Sequence, residues 1–374
     1  MTEPAAGFDA TDHRHMAEAL RLAERGLWTA HPNPRVGCVI ARGDEVVGRG
    51  WHERAGQPHA EVHALAEAGE RARGATAYVT LEPCSHHGRT PPCADALIGA
   101  GVARVVAALV DPFPDVAGRG LDRLAGAGVR VAGGLMEAQA RALNAGFLSR
   151  IERGRPYVRL KLAGSLDGRS TGPDGASKWI TGDAARRDGH RWRARADAIL
   201  TGIGTVIADD PGMNVRLDGI ESTFLPPKPV VVLDPRGRLP ADARLFTTGN
   251  PVWQVGPGDE GNGRADCERL EVATDPAGRA DLADLLRVLG GRGINELHVE
   301  AGPTLSGALL AAGLVDELLV YQAPTMVGGG SPAAALPGVE KLVDRLHLVR
   351  IDTRSVGDDL RIRLRPADAG RKSG

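Results

Sequence analysis

Pro58-His-Ala-Glu-Val-His-Ala-Leu65, followed by Pro83-Cys84 and then Cys93, is the stretch on which the reading of the first half turns. One imidazole, His59, and two thiolates, Cys84 and Cys93, make a three-ligand zinc site with an open fourth position. Water in that position becomes acidic, its pKa falling toward ~7. Glu61, a carboxylate that is not a ligand, stands two residues after the histidine and can carry protons. This is the zinc-deaminase arrangement, in which hydroxide attacks an amidine-like ring carbon and ammonia leaves. Pro58 puts His59 at the mouth of a helix, and Glu61 falls on a different face of it. The metal is therefore expected off the helix end. Cys84 leaves a strand through a loop, and Cys93 opens the next helix, whose N-terminus favours a thiolate. The competing reading is a structural site closed by His86 or His87, in which Glu61 would have no purpose.

Working outward, apolar spacing predicts a helix carrying Met16, Leu20, Ala23 and Leu27, with Thr11 and Asp12 as candidate caps. Strands are expected at Val36 to Ile40, Glu45 to Trp51, Ala77 to Leu81, Val102 to Val110 and Val129 to Ala132. Helices are expected from Pro58 to Ala68, Pro91 to Ala100, Leu121 to Gly126 and Glu137 to Arg153. The alternation implies a layered α/β domain with a largely parallel sheet. Gly154-Arg-Pro156 breaks the pattern, which predicts domains at 1–154 and 155–374. The second half alternates again. Its expected strands are Tyr157 to Leu162, Ala198 to Thr201, Val230 to Leu233, Leu297 to Glu300 and Glu317 to Gln322. Helices are expected at Leu282 to Leu289 and Leu305 to Ala312, with loops at Gly219 to Pro229 and Gly256 to Arg269.

At 374 residues the chain exceeds one ordinary core and suits two domains. A net charge of −1 gives no basic stripe for nucleic acid. No run is long and apolar enough for a membrane span, and no early apolar run resembles a signal peptide, so the expected location is the cytoplasm. There the four cysteines are thiols or metal ligands rather than disulfides. Cys38 reads as a small buried hydrophobe, and Cys267 has no assigned role.

In the second half, Gly202-Ile-Gly204 is too short for a dinucleotide fingerprint, and no helix start is evident after it. Glu300-Ala-Gly-Pro-Thr-Leu-Ser306 is a stronger signal. It follows a strand and opens a helix, so its free N–H groups suit a phosphate. Val327-Gly-Gly-Gly330 is a second candidate backbone cradle. Either stretch alone is also compatible with a tight connection.

Thr80-Leu-Glu-Pro-Cys-Ser-His-His-Gly-Arg-Thr-Pro-Pro-Cys93 departs from the commoner deaminase spacing, in which two residues separate the cysteines. It resembles closely the deaminase domain of the RibD family of bifunctional riboflavin-biosynthesis proteins. So do Asn33-Pro-Arg-Val-Gly-Cys38, Gly50-Trp-His52 and Ala55-Gly-Gln-Pro-His-Ala-Glu-Val-His-Ala-Leu65. From Arg155 onward the resemblance continues in order. It passes through Lys161-Leu-Ala-Gly-Ser-Leu-Asp-Gly168, Ser177-Lys-Trp-Ile-Thr181, Arg193-Ala-Arg-Ala-Asp-Ala-Ile-Leu200, Gly204-Thr-Val-Ile-Ala-Asp-Asp-Pro211 and the Glu300 motif.

The resemblance implies a cytidine-deaminase-like three-layer domain followed by a dihydrofolate-reductase-like α/β domain. It implies zinc on His59, Cys84 and Cys93, with Glu61 as general acid and base. Asn33 and His52 would contact a pyrimidine, and Arg89 a phosphate; an exposed loop arginine is the other reading of Arg89. It implies NADPH contacts at Ala163, Trp179, Thr205, Asp209, Gly302, Pro303, Thr304, Leu305, Ser306, Gly307 and Ala308. Substrate contacts would fall on Ser177, Arg193, Met213, Arg216 and Glu300, with Arg193 and Arg216 on the sugar phosphate. Met213-Asn-Val-Arg216 varies around a position the family often fills with Leu-Thr. Lys161 is the candidate proton donor, against a strand-end lysine reaching for solvent. Asp167 is expected to brace its turn.

The implied activity removes ammonia from a diaminopyrimidinone ribosylamine phosphate and then reduces its ribosyl group to ribityl. The partners expected are this small-molecule substrate and further copies of the chain, with no nucleic acid and no membrane. The alternative is a cytosine- or guanine-type or nucleic-acid deaminase with an accessory domain.

Overall fold

The computed structural model describes residues 7–85, 92–113, 117–220, 224–256, 264–275 and 278–367. Two compact units divide the chain, Met1–Arg153 and Gly154–Gly374.

The first unit contains strands β1 (Gly37–Arg42), β2 (Glu45–Trp51), β3 (Thr76–Val79), β4 (Arg104–Ala107) and β5 (Arg130–Gly133). Its helices are α1 (Ala10–Glu24), α2 (Ala60–Ala68), α3 (Cys93–Gly99), α4 (Arg119–Gly126), α5 (Glu137–Leu143) and α6 (Ala145–Arg153). The strand order is β2-β1-β3-β4-β5. The sheet is mixed rather than largely parallel, since β1 runs antiparallel to both β2 and β3, while β3, β4 and β5 are parallel. Successive strand residues face opposite sides. Cys38, Ile40, Val79, Val105 and Ala107 pack with α2, α3 and α4, whereas Val39, Ala41, Tyr78 and Val106 pack with α1, α5 and α6. The result is three layers with an apolar core on each side of the sheet.

Local chemistry sets the ends of these elements. Asp9, not Thr11 or Asp12, caps α1; its carboxylate accepts the Asp12 N–H at 2.7 Å and Asp12 reciprocates. Glycine lets β2 lie against α2. A Cβ on Gly50 would stand 2.1 Å from the Ala60 carbonyl oxygen, so no side chain fits. The predicted helix Glu137 to Arg153 is split at Asn144. The buried Asn144 amide turns aside to hold the backbone of Arg35, accepting its N–H at 2.8 Å and donating to its carbonyl at 2.9 Å. That contact anchors the loop carrying Asn33.

The second unit is built on β6 (Tyr157–Gly164), β7 (Ala198–Gly202), β8 (Val230–Leu233), β9 (Val252–Val255), β10 (Cys267–Leu270), β11 (Glu296–Val299), β12 (Glu317–Gln322), β13 (Leu348–Val356) and β14 (Asp359–Pro366). Its helices are α7 (Asp183–Arg195), α8 (Ile203–Asp209), α9 (Leu282–Gly291) and α10 (Pro303–Ala311). The sheet order is β10-β9-β8-β7-β11-β6-β12-β14-β13. β10 through β12 pair in parallel, and β14 and β13 close one edge antiparallel. The fully buried Val230, Val231 and Val232 suit a central parallel strand covered on both faces. The chain enters at β6, skips a place to β7, and later returns to insert β11 between them. The carboxyl ends of β6, β11 and β7 therefore lie side by side, the topological position where open α/β sheets take ligands.

Several elements differ from the sequence expectation. Ile203–Asp209 is helical although no start was evident, and Gly256 to Arg269 ends in strand β10 rather than remaining loop. Helix α7 was not anticipated. It buries just Ala185 and Ala194 and docks through charges: Arg193 pairs with Glu300, and Arg195 pairs with Glu296 at 2.9 Å. Without an apolar stripe, the helical period is not visible in the sequence.

Candidate active sites

In the first unit, His59 is the N-cap residue of α2 and Cys93 the first residue of α3. Cys84 follows β3 by a short connection. One donor atom from each of His59, Cys84 and Cys93 lies within 4.8 Å of the others. His59 Nδ1 stands 3.3 Å from Cys93 Sγ and 3.7 Å from Cys84 Sγ. Two tetrahedral zinc ligands, at ~2.3 Å for sulfur and ~2.0 Å for nitrogen, would stand about 3.5 Å apart. The donor set and its spacing fit zinc.

The electrostatics agree. The Cys93 thiol, its backbone N–H at 3.3 Å and His59 all face Cys84 Sγ and hold it well below the ordinary thiol range. The facing Cys84 sulfur, with burial, pushes Cys93 up, so the pair holds one negative charge far more readily than two. Glu61 is buried beside them, and burial raises its carboxyl to about 7.

Asn33 and His52 are brought to the same place. The His52 ring meets His59 edge-on, with centroids 5.5 Å apart. His52 Nδ1 is 3.1 Å from the Pro58 carbonyl, which can only accept, so this nitrogen carries the proton. Nε2 then accepts from Asn33 Nδ2 at 3.0 Å. This leaves the Asn33 amide oxygen turned away from His52.

One residue escaped sequence reasoning. The buried Glu82 carboxylate accepts backbone N–H groups from Asp111 at 3.1 Å, Gly118 at 2.9 Å, Gly120 at 2.8 Å and Leu121 at 3.3 Å. It ties the start of α4 beneath the Cys84 connection. A buried acid two residues before a ligand was the available signal. Arg89, His86 and His87 lie outside the described residues.

In the second unit, Lys161 lies within β6 and Glu300 directly after β11, with Nζ and Oε2 3.9 Å apart. Lys161 is not at a strand end. Its side chain is 26% exposed, and burial lowers its pKa against the opposing pull of Glu300. Arg193 grips Glu300 through Nε and, at 2.9 Å, through Nη2; its Nη1 donates to the Asn214 carbonyl at 2.9 Å. The Arg193 charge and hydrogen bonds, with a further contact from His298, hold the half-buried Glu300 carboxyl well below its usual range despite desolvation.

Gly302 caps α10 and Pro303 opens it. A Cβ at Gly302 would find just Thr205 Oγ1, at 3.8 Å, so Gly302 and Thr205 border one open space. Pro303 and Ala308 are half-buried and Thr304 is exposed. Leu305, Ser306 and Gly307 are buried, and Ser306 Oγ donates to the Ala301 carbonyl at 3.2 Å, just before the helix start. A Cβ on Gly307 would overlap the Ala335 carbonyl, which makes this glycine a packing requirement.

Trp179 is 66% exposed and lies under Arg186 at 4.4 Å. Ser177 donates to Asp209 at 2.7 Å, joining two predicted contacts. Ala163 lies near the end of β6, opposite Tyr321 of β12. Met213 is buried among Ile203, Val206 and Leu245, with a left-handed φ of 49°. Asp167 accepts Ser165 Oγ at 2.6 Å and the N–H groups of Val327 at 3.1 Å and Gly328 at 2.8 Å, which bring its pKa to about 2. It braces its turn, and it spends two of the N–H groups that Val327 to Gly330 would have offered to a phosphate.

Comparison with known proteins places each unit in a known family. Residues 9–109 match the family model for the cytidine and deoxycytidylate deaminase zinc-binding region, and residues 156–361 match that for the RibD C-terminal domain. The riboflavin biosynthesis protein RibD of Escherichia coli (strain K12) is 50% identical over 362 residues, covering 94% of this chain and 99% of that protein. The solved Acinetobacter baumannii RibD, form 1, is 46% identical with a TM-score of 0.89, covering 96% of this chain and 99% of that one. A diaminohydroxyphosphoribosylaminopyrimidine deaminase/5-amino-6-(5-phosphoribosylamino)uracil reductase from Thermotoga maritima is 30% identical with a TM-score of 0.86, at the same coverages of 96% and 99%.

Fold and sites together define an enzyme with a zinc-binding deaminase unit and a reductase unit. The chain belongs to the RibD family, the bifunctional deaminase-reductases of riboflavin biosynthesis.

Cys84→Ala and Cys93→Ala should each lose bound metal as well as deaminase activity, because two remaining donors cannot close the site. Elemental analysis of the purified variants checks this. Stoichiometric zinc retained in both would show that the ligands lie elsewhere.

Proposed function

We propose that the first unit deaminates a 2,5-diamino-6-ribosylamino-pyrimidinone 5′-phosphate and that the second reduces the ribosyl group of the product to ribityl with NADPH. The observation that carries the first step is the buried Glu61 carboxyl beside His59, Cys84 and Cys93. A zinc ion held by those three residues would supply an acidified water. Glu61 would take a proton from the nucleophile and deliver it to the departing amine, a task suited to a group titrating near neutrality. Asn33 would bind the pyrimidine with its free amide oxygen, on a side chain oriented by His52.

The second step rests on the juxtaposition of Lys161, Glu300 and the open start of α10. NADPH would supply hydride there, with a phosphate on the N–H groups of Gly302 and Thr304 and Thr205 alongside. Exposed Trp179 offers a ring face to the cofactor. Lys161 would protonate or polarise the reacting group, its ammonium kept within reach by Glu300. Each unit holds its residues without interleaving, so the two steps are separable. Described helices include none long and apolar enough to cross a membrane; the cytoplasm remains the proposed location.

Self-association is part of the same reading. Strand β13 is an edge, and Leu348, Val349 and Ile351 on it are exposed. Light scattering after size exclusion should give a multiple of the 39.2 kDa chain mass; a monomer at micromolar concentration removes this part.

Glu61→Gln should keep zinc and lose ammonia release by a factor of about 10² or more, while reducing pre-deaminated substrate normally. An ammonia assay reads the first and NADPH absorbance the second. Unimpaired ammonia release by this variant would remove Glu61 from the mechanism.

Gly302→Val should raise the NADPH KM about tenfold or more, because the branched side chain enters the space beside the helix start rather than the protein core. Deamination should be untouched. A steady-state cofactor KM equal to that of the parent enzyme would place the nucleotide elsewhere.

A further inference from the structure

A buried imidazole stands directly behind Glu300, and no step proposed above uses it. Strand β11 lies between β7 and β6, and His298 of β11 is opposite Arg159 of β6. Two residues further along each strand, on the same face of the sheet, come Glu300 and Lys161. His298 is fully buried. Its Nε2 stands 3.3 Å from Glu300 Oε1. Among the described residues, neither ring nitrogen has a hydrogen-bond partner elsewhere.

The surroundings keep this ring neutral. Burial lowers its pKa against the pull of Glu300, and the Arg193 and Arg159 guanidiniums lower it further. Arg159 is itself committed, to Glu296 at 2.9 Å and to Glu317 at 3.2 Å, so it does not compete for Glu300. A neutral imidazole has one proton to place. A carboxylate faces Nε2 and no partner meets Nδ1, so the proton belongs on Nε2 and points to Oε1. Oε1 is thereby held from two directions, by His298 from within the sheet and by Arg193 Nε from α7. Oε2 is left to Arg193 Nη2 at 2.9 Å and Lys161 Nζ at 3.9 Å. A neutral donor orients the carboxylate without cancelling its charge, as a further cation would.

We propose that His298 is a positioning residue of the reductase unit: its Nε2–H holds Glu300 Oε1 and so keeps Oε2 turned toward Lys161. This rests on the reading that Lys161 and Glu300 serve the reduction. Arg193 reaches Glu300 from a helix that meets the sheet through charges, whereas His298 is set in the middle of the sheet and supplies the fixed reference.

The test measures the reductase step of the full-length enzyme on pre-deaminated substrate, with kcat and both KM values determined and single-turnover rates for slow variants. His298→Phe fills the place of the ring without a donor; His298→Met does so with a flexible chain should the phenyl ring disturb folding. Either should lower kcat about tenfold while the KM for substrate and for NADPH stays within about twofold of wild type, because the donor acts on the orientation of Glu300. His298→Gln, whose amide N–H can take the place of Nε2–H, should recover most of the loss. In a Glu300→Gln background, His298→Phe should lower kcat by less than about twofold more, since both changes remove one arrangement. Full kcat in the donor-less variants would overturn the positioning role. So would a loss that His298→Gln does not recover, or one that repeats in the Glu300→Gln background. A wild-type kcat in Lys161→Met would instead overturn the underlying reading of the site.

Discussion

Holding one imidazole and two thiolates within 4.8 Å is unfavourable without a cation between them, and the first unit is arranged around that requirement. The ligands come from places that the fold makes rigid: the cap of α2, the connection after β3 and the first turn of α3. Gly50 lets β2 approach α2 closely enough to seat its N-terminus. Glu82 pins the start of α4 under the Cys84 connection with four backbone hydrogen bonds. Asn144 interrupts a helix to hold the loop of Asn33. Each feature is costly to the local element and useful to the site.

The second unit solves a different problem. A parallel sheet delivers the ends of β6, β7 and β11 to one edge, and helix α7 packs against β11, β13 and β14. Its docking face is ionic. Arg159 and Arg195 both reach the buried Glu296, and Arg193 reaches Glu300. Removing one partner of such a buried pair leaves an uncompensated charge, which costs far more than an exposed ion pair contributes. The same network extends through Arg193 and Glu300 to Lys161.

Much of this was legible in the sequence where a pattern had a single physical meaning. The His59, Cys84 and Cys93 set had one once Glu61 was counted, because a structural site closed by His86 or His87 would leave that carboxylate without purpose. Buried strands such as Val230 to Leu233 had one too. Helix α7 did not, since its contacts are ion pairs between residues distant in sequence, such as Arg193 and Glu300. The Val327 to Gly330 loop looked like a phosphate cradle, but two of its N–H groups are taken by Asp167. Nothing in the composition of a glycine run says which acceptor will reach it first. Met213, a substrate contact by the resemblance, is packed into the apolar core of the second unit.

The central claim is that one chain performs deamination and then reduction at two separate sites. The most direct measurement follows ammonia and NADPH together in one reaction of the full-length enzyme with the diaminopyrimidinone ribosylamine phosphate. The account predicts complete ammonia release without NADPH, followed on its addition by oxidation of an equal amount. NADPH oxidised in full while the 2-amino group is retained, or no ammonia formed until NADPH is present, would contradict it.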